Sequence, residues 1–162
     1  MTWAYVGIGS NIDPESNVRG SVAALRARFG VLLISPVYRS PPIGFDGEDF
    51  LNLAAAFETG EDCEAVVDAL RKIEIQHGRQ RNERKFGSRT LDVDLLLYGN
   101  AVVEEGPVSL PREDITKFDF VLAPLADIAA EIVHPVLGIS IGNLWEEFDR
   151  GRSSMVPVAL EL

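Results

Sequence analysis

The chain has 162 residues, of which 46% are hydrophobic and 25% are charged, and its formal net charge is −10. Such a composition is typical of one globular domain, and it excludes a disordered chain, a collagen-like chain and, because Cys63 is the one cysteine, a disulfide scaffold. No apolar run approaches the roughly 20 residues of a membrane span, and the first residues lack the pattern of a signal peptide. We therefore expect one cytoplasmic, monomeric domain over residues 1–162. We expect it to bind neither membranes nor nucleic acids.

The spacing of apolar residues predicts strands and helices along the chain. Asp13, Asp62 and Ser140 are each expected to cap the start of a helix, and Gly30 is expected to end the first helix. Pro36 indicates an edge position or a bulge in the second strand. The expected elements, in chain order, are a strand at 3–9, a helix between 13 and 30, a strand at 31–38, a loop at 40–47, a strand at 51–57, a helix between 62 and 77, a basic loop, a strand at 92–98, and helical turns at 122–128 and 140–148.

The first six of these strands and helices follow the order β-α-β-β-α-β, which is typical of the ferredoxin-like α+β sandwich. A sandwich of this kind has an antiparallel sheet with helices over one face. The residues after the last of these strands would form a C-terminal extension. We therefore predict one domain of this fold class for the whole chain.

Asp92 and Asp94 are the strongest local signal for chemistry. Because side chains alternate along a strand, the two carboxylates should share one face, while Val93, Leu95 and Leu97 share the other. Two charges about 6.5 Å apart repel by roughly 2.5 kcal/mol at an effective dielectric near 20, and a cation between them relieves this repulsion. The pair suits two Mg²⁺ ions, which use few protein carboxylates and also bind phosphate oxygens. Alternatively, both acids face solvent, or they form the acid pair of a glycosidase.

A second signal is the concentration of positive charge just before this strand. Five of the 15 basic residues fall within residues 79–89, where one acidic residue accompanies them. One interpretation is a solvated surface loop. The other is a polyanion site, which is favoured because Arg89 leads into the same strand start as the acid pair. The chain contains neither a P-loop nor a complete dinucleotide fingerprint, so neither of those nucleotide sites is supported.

Residues 85–96, with the sequence KFGSRTLDVDLL, resemble the signature of the 6-hydroxymethyl-7,8-dihydropterin pyrophosphokinase family. Other motifs of this family are matched in the same order at 4–11, 40–44, 49–52, 73–74, 78–81 and 120–125. The resemblance covers most of the chain and implies the ferredoxin-like fold. It also implies an activity in folate biosynthesis, in which diphosphate is transferred from ATP to the hydroxymethyl group of the reduced pterin and AMP is released.

The resemblance implies roles for individual residues. The expected catalytic residues are Arg79, Arg89, Asp92 and Asp94, of which the two aspartates would hold two Mg²⁺ ions and the two arginines would bind the triphosphate. The residues expected near ATP are Glu74, Arg79, Arg81, Lys85, Arg89 and Arg112. The residues expected around the pterin are Ser40, Pro41, Ile43, Phe50, Asn52 and Phe120. Phenyl rings stack on flat heterocycles and an amide pairs with their edges, which agrees with the roles of the last three.

The chain departs from the family pattern around the expected ATP site. Phe86 and Ser88 stand where tryptophan and proline are usual, Arg112 stands where histidine is usual, and Phe118 stands where arginine is usual. These departures leave a second hypothesis open, namely a pterin- or nucleotide-binding relative that has lost turnover. A third hypothesis is a hydrolase that uses the acid pair without ATP.

Overall fold

The computed structural model describes residues 1–78, 90–148 and 155–162. In these ranges the strands are β1 (Thr2–Ser10), β2 (Leu33–Ile34), β3 (Val37–Ser40), β4 (Phe50–Thr59), β5 (Asp92–Tyr98) and β6 (Val156–Val158). The helices are α1 (Pro14–Phe29), α2 (Cys63–Gln76), α3 (Asp114–Lys117), α4 (Asp119–Ala129) and α5 (Ile141–Glu147). The order β1-α1-(β2, β3)-β4-α2-β5 is the predicted one.

The strands form an antiparallel sheet in the order β5-β1-β4-β3-β6, and β2 also pairs with β4. The two longest strands, β1 and β4, pair along their full common length, from Thr2 opposite Thr59 to Ser10 opposite Leu51. Because β5 pairs with the other side of β1, β1 lies between β4 and β5. The sheet therefore brings the ends of these three strands together at one edge of the molecule.

The two faces of the sheet carry different helices. Ala4, Val6 and Ile8 of β1 belong to a buried cluster that includes residues of α1 and α2. Tyr5 points to the opposite face, into a second buried cluster built with α3, α4 and α5. The predicted ferredoxin-like α+β fold is confirmed, with α1 and α2 over one face of the sheet. Within the C-terminal extension, α3, α4 and α5 pack against the other face, whereas β6 pairs with β3 and the last residues pack against the α1–α2 cluster.

The strand predicted at 31–38 is divided into β2 and β3, and both parts pair with β4. Pro36 has no N–H to donate, so a continuous ladder is interrupted there. Ser35 keeps the segment attached, since its N–H donates to the carbonyl oxygen of Ala54 at 2.9 Å and its hydroxyl accepts the N–H of Ala54 at 2.8 Å. Pro36, which is expected from the sequence to mark an edge position or a bulge, thus lies at a break between β2 and β3.

The expected alternation along β5 fails at its second half. Val93 and Leu95 face the α1–α2 cluster as predicted, but Leu97 lies with Leu96 in the cluster on the opposite face. The cause is a register shift between β1 and β5 at Tyr5 and Val6, because an extra residue in one strand reverses the faces beyond it. Asp92 and Asp94 precede the shift and keep the predicted alternation.

Two of the three predicted helix caps are confirmed. The Asp62 carboxylate accepts the N–H of Ala65 at 2.8 Å, and the Ser140 hydroxyl accepts the N–H of Asn143 at 3.2 Å. The side-chain cap expected at Asp13 is wrong. This residue has a left-handed backbone with φ of 43°, and no hydrogen bond joins its side chain to the first turn of α1. The carbonyl of Asp13 instead accepts the N–H of Asn17 at 3.1 Å.

A buried histidine in the turn between α4 and α5 makes the stability of this region sensitive to pH. His134 is 5% exposed, and its Nδ1 accepts the N–H groups of Leu137 at 3.1 Å and Val136 at 3.3 Å. Burial lowers the pKa of His134, so the folded chain favours the neutral ring. A base with a lowered pKa contributes its full stability above its unfolded pKa of about 6.5, and this contribution is lost as the pH falls from that value through the lower pKa of the folded state.

We therefore expect the free energy of unfolding to fall more steeply between pH 7 and pH 5 in the wild-type chain than in His134→Asn. The asparagine oxygen can accept the same backbone N–H groups but does not titrate in this range. Denaturant unfolding of both proteins across this pH interval measures the difference. Parallel pH profiles for the two proteins would contradict the prediction.

Candidate active site

A cavity of about 500 Å³ opens on the face of the sheet that α3, α4 and α5 cover. Its floor is formed by the ends of β1, β4 and β5, and its walls by the segment after β3 and by residues 109–121. The predicted site residues that line it are Ser40, Pro41, Ile43, Phe50, Asn52, Asp92, Asp94, Arg112 and Phe120. The structure thus brings together residues from five separate segments of the chain.

Asp92 and Asp94 both line the cavity, and both are half-buried. They lie opposite Gly9 and Gly7 of β1, respectively. Glycine has no side chain, so nothing on β1 rises between the two carboxylates and the next strand, β4. This places the acid pair against open cavity space, which it shares with β4 residues.

Gly9 also lies opposite Asn52 of β4, at very close range. A Cβ atom on Gly9 would lie 2.8 Å from Asn52 Oδ1, which is closer than non-bonded carbon and oxygen atoms approach. Asn52 is 5% exposed, and its Nδ2 donates to Ser40 Oγ at 2.8 Å. The amide is therefore held between the hydroxyl of Ser40 and the bare backbone of Gly9.

Four phenylalanines contribute to the apolar lining of the cavity. Phe45 meets Phe50 edge to face, with ring centroids 6.3 Å apart at 88°. Phe118 is stacked on Phe120, with centroids 5.0 Å apart at 20°. Sequence reasoning selected Phe50 and Phe120 but did not assign Phe45 or Phe118 to the cavity, because each reaches the site from a loop or a short helix end that has no periodic pattern.

Arg112 carries positive charge into the cavity. Its Nη2 lies 3.7 Å from Asp94 Oδ2, and its Nε donates to Asp114 Oδ2 at 3.2 Å. Burial lowers the pKa of Arg112, but the carboxylates of Asp94, Asp114 and Asp92 outweigh this effect and leave its pKa above the ordinary value. The site therefore stabilises a cation beside the acid pair. Lys117 also lines the cavity and pairs with Glu113 Oε2 at 3.2 Å.

Glu74, the predicted ATP-side residue of α2, lies beneath β5. Its side chain is buried, and its Oε2 accepts the N–H of Val93 at 2.9 Å. It borders a smaller recess of about 100 Å³, which shares Asp94, Ser109 and Arg112 with the main cavity. The other predicted ATP-side residues, Arg79, Arg81, Lys85 and Arg89, lie outside the described residues.

The described part of the chain contains no group of three or more histidine, cysteine or acidic side chains that could hold a metal ion. Two carboxylates remain a sufficient protein contribution for Mg²⁺, which fills its shell with water and phosphate oxygens. Within the same described ranges, no helix is long and apolar enough to cross a bilayer.

Comparisons with known proteins agree on one family. The family model of 7,8-dihydro-6-hydroxymethylpterin-pyrophosphokinase, HPPK, matches residues 5–130. A 2-amino-4-hydroxy-6-hydroxymethyldihydropteridine pyrophosphokinase of Haemophilus influenzae is 35% identical over 139 residues, which are 83% of this chain and 86% of the relative. The enzyme of the same name from Methylorubrum extorquens is 39% identical over 137 residues, with coverages of 82% and 86%. That from Synechocystis is 36% identical over 162 residues, with coverages of 98% and 83%.

Solved structures with a similar fold include an HPPK-DHPS in complex with substrates, with a TM-score of 0.71 at 14% identity over 90% of this chain. Another is the HPPK-DHPS of Plasmodium falciparum, with a TM-score of 0.69 at 13% identity over 90% of this chain. The chain spans less than half of each of these proteins, 43% and 45% respectively. At this level of identity the likeness supports the fold.

Proposed function

The chain belongs to the 7,8-dihydro-6-hydroxymethylpterin-pyrophosphokinase family, and on that premise we propose that it transfers diphosphate from ATP to the hydroxymethyl group of 6-hydroxymethyl-7,8-dihydropterin and releases AMP. The observation that carries the proposal is the arrangement of the cavity. The floor offers a fixed amide and two carboxylates, while the adjoining walls carry aromatic rings and a guanidinium. A small heterocycle and a metal-bound polyphosphate therefore find complementary groups side by side.

Asn52, Phe50 and Phe120 are assigned to the pterin. The amide of Asn52 offers a donor and an acceptor at fixed positions, because Ser40 holds its Nδ2. The phenyl rings offer apolar faces to a flat ring system, and Phe118 and Phe45 support them by the ring contacts described above. Ser40, Pro41 and Ile43 form the adjoining wall. These groups would orient the hydroxymethyl oxygen toward the floor of the cavity.

Asp92 and Asp94 are assigned to Mg²⁺, and we propose two ions. The fit rests on the two carboxylates that line one cavity and on Arg112, whose guanidinium stands beside Asp94 as a positive charge. Asp92 and Asp94 would hold the ions beside the polyphosphate, and the ions, when bound, would supply positive charge that neutralises the phosphate groups. The protein groups supply orientation and fixed charge, which is most of what phosphoryl transfer requires.

The remaining assignments concern the nucleotide. Arg112 faces the cavity beside the acid pair and is assigned to the phosphates of ATP. Glu74 is assigned to the support of β5, through its hydrogen bond to Val93, on the ATP side of the site. We propose Arg79 and Arg89 as the principal triphosphate ligands, and Arg81 and Lys85 as further ligands, from the family resemblance of their motif. The single domain, the monomeric state and the cytoplasmic location stay predictions.

Asp94→Asn is expected to lower kcat by at least about a hundredfold, because an amide does not supply the anionic charge that holds the metal. AMP release from ATP and 6-hydroxymethyl-7,8-dihydropterin with Mg²⁺ measures the effect. Asp68→Asn is the matched control, since Asp68 is exposed on α2 over the opposite face of the sheet.

Full turnover by a folded Asp94→Asn protein would refute the metal assignment. If the wild-type protein is folded and binds the pterin but produces no AMP at high enzyme concentration, the proposed activity is wrong and the chain is a binding protein. Turnover of a substrate in the absence of ATP would instead indicate a hydrolase.

Gly9→Ala is expected to raise the Kd for the pterin by about tenfold, because the new methyl group displaces the Asn52 amide and disturbs its hydrogen bond to Ser40. Titration with the pterin in the presence of a non-hydrolysable ATP analogue and Mg²⁺ measures the Kd. Gly60→Ala is the control, since a Cβ atom there would lie 3.5 Å from Met1 Sδ, an ordinary contact. Equal pterin affinities for the two variants would contradict the role of Gly9.

A further inference from the structure

Arg112 stands on the boundary between the main cavity and the smaller recess. It lines both spaces, together with Asp94 and Ser109. Its backbone N–H donates to the carbonyl oxygen of Leu96 at 3.0 Å, which ties its main chain to the edge of β5. A group that spans the two spaces would therefore lie beside the guanidinium, and a cation bound to Asp94 Oδ2 would share that oxygen with it.

The two contacts of Arg112 with carboxylates differ in length. The contact of Nε with Asp114 is a hydrogen bond of 3.2 Å, whereas Nη2 lies 3.7 Å from Asp94 and makes an ion pair without a close hydrogen bond. Asp114 follows Arg112 by two residues and belongs to α3, so this contact is local. The guanidinium is thus oriented by Asp114, and its contact with Asp94 is the one that can be exchanged at smaller cost.

A divalent ion and a guanidinium compete for the same carboxylate. An Asp94 oxygen that faces Arg112 carries less unbalanced charge than an isolated aspartate, so a metal ion that arrives alone gains less there. A nucleotide changes this balance, because its phosphate oxygens offer the guanidinium a planar, bidentate partner. Metal and nucleotide would then each favour the binding of the other through one side chain.

We propose that Arg112 acts as a counter-ion of Asp94 in the nucleotide-free site, and that it couples metal binding to nucleotide binding by exchanging its contact with Asp94 for a contact with phosphate. This inference rests on the proposed function in one respect, which is that Asp94 holds the divalent ion. The inference adds a coupling between metal binding and nucleotide binding, which the proposed roles of the site residues do not include. By linkage, the factor by which nucleotide raises the metal affinity equals the factor by which metal raises the nucleotide affinity.

The test measures Mn²⁺ binding to the full chain without nucleotide, from the electron paramagnetic resonance signal of the free ion. We expect Arg112→Gln to bind Mn²⁺ about fivefold more tightly than the wild type, the size of one partly exposed ion pair. The same variant should bind the Mg²⁺ complex of α,β-methylene ATP about tenfold more weakly, as measured by calorimetry. A structural defect would weaken the binding of both ligands. Tighter Mn²⁺ binding together with weaker nucleotide binding therefore distinguishes the exchange from such a defect.

Lys117→Gln is the matched control, because it removes one positive charge from the same cavity wall while Lys117 pairs with Glu113 and not with Asp94. We expect its Mn²⁺ affinity without nucleotide to stay within about twofold of the wild type. An equal increase in Arg112→Gln and Lys117→Gln would overturn the inference, since it would reflect net charge alone. An unchanged or weaker Mn²⁺ affinity in Arg112→Gln would also overturn it.

Two further variants separate this inference from the proposed function. Arg112→Lys retains the charge but not the planar fork, so its Mn²⁺ affinity should lie between those of the wild type and Arg112→Gln. Adding Asp94→Asn to Arg112→Gln should abolish the gain in Mn²⁺ affinity. If the double variant binds Mn²⁺ as tightly as Arg112→Gln, the metal assignment of Asp94 fails, and the inference fails with it. If Asp94→Asn weakens Mn²⁺ binding but Arg112→Gln does not strengthen it, the inference alone fails.

Discussion

The pairing of β1 with β5 on one side and β4 on the other is the constraint on which the site depends. Gly9 stands opposite both Asp92 and Asn52, so these three residues form one row across three strands. Adjacent strands are about 4.8 Å apart, so the backbones of Asp92 and Asn52 are separated by about 10 Å. That distance leaves room for a reacting group between a metal-binding carboxylate and a ring-binding amide. Gly9 lies in the middle of the row and has no side chain, so the space between the carboxylate and the amide stays open.

The period of two along a strand made part of this site predictable. The period correctly predicts that Asp92 and Asp94 lie on one face of β5. Turn residues and helical spacing correctly predict the order of the strands and helices along the chain. The period fails at Leu97, because the register shift depends on how β1 and β5 meet and not on either sequence alone. Contacts such as that of Arg112 with Asp94 join residues from different segments, so they follow from packing and have no local signature.

Glu74 illustrates how the opposite face of the sheet contributes to the cavity. β5 is an edge strand in the described sheet, and the N–H of Val93 is directed to the buried Glu74 carboxylate of α2. A buried N–H without an acceptor would cost about 1–3 kcal/mol, so this contact stabilises the strand at the residue between Asp92 and Asp94. The spacing of the acid pair is therefore supported from the α1–α2 layer, although neither helix lines the cavity.

The ferredoxin-like unit and the C-terminal extension supply different parts of the chemistry. The sheet provides Asp92, Asp94 and Asn52, whose positions are set by backbone pairing and are therefore rigid. The extension provides Arg112 and the stacked Phe118 and Phe120, whose side chains are positioned by an ion pair and a ring contact and not by strand pairing. Groups that bind metal and read a ring edge benefit from fixed spacing, whereas groups that exchange partners or close over a ligand need room to move. The division between the sheet and the extension is thus also a division between fixed and exchangeable contacts, and the cavity lies where the two meet.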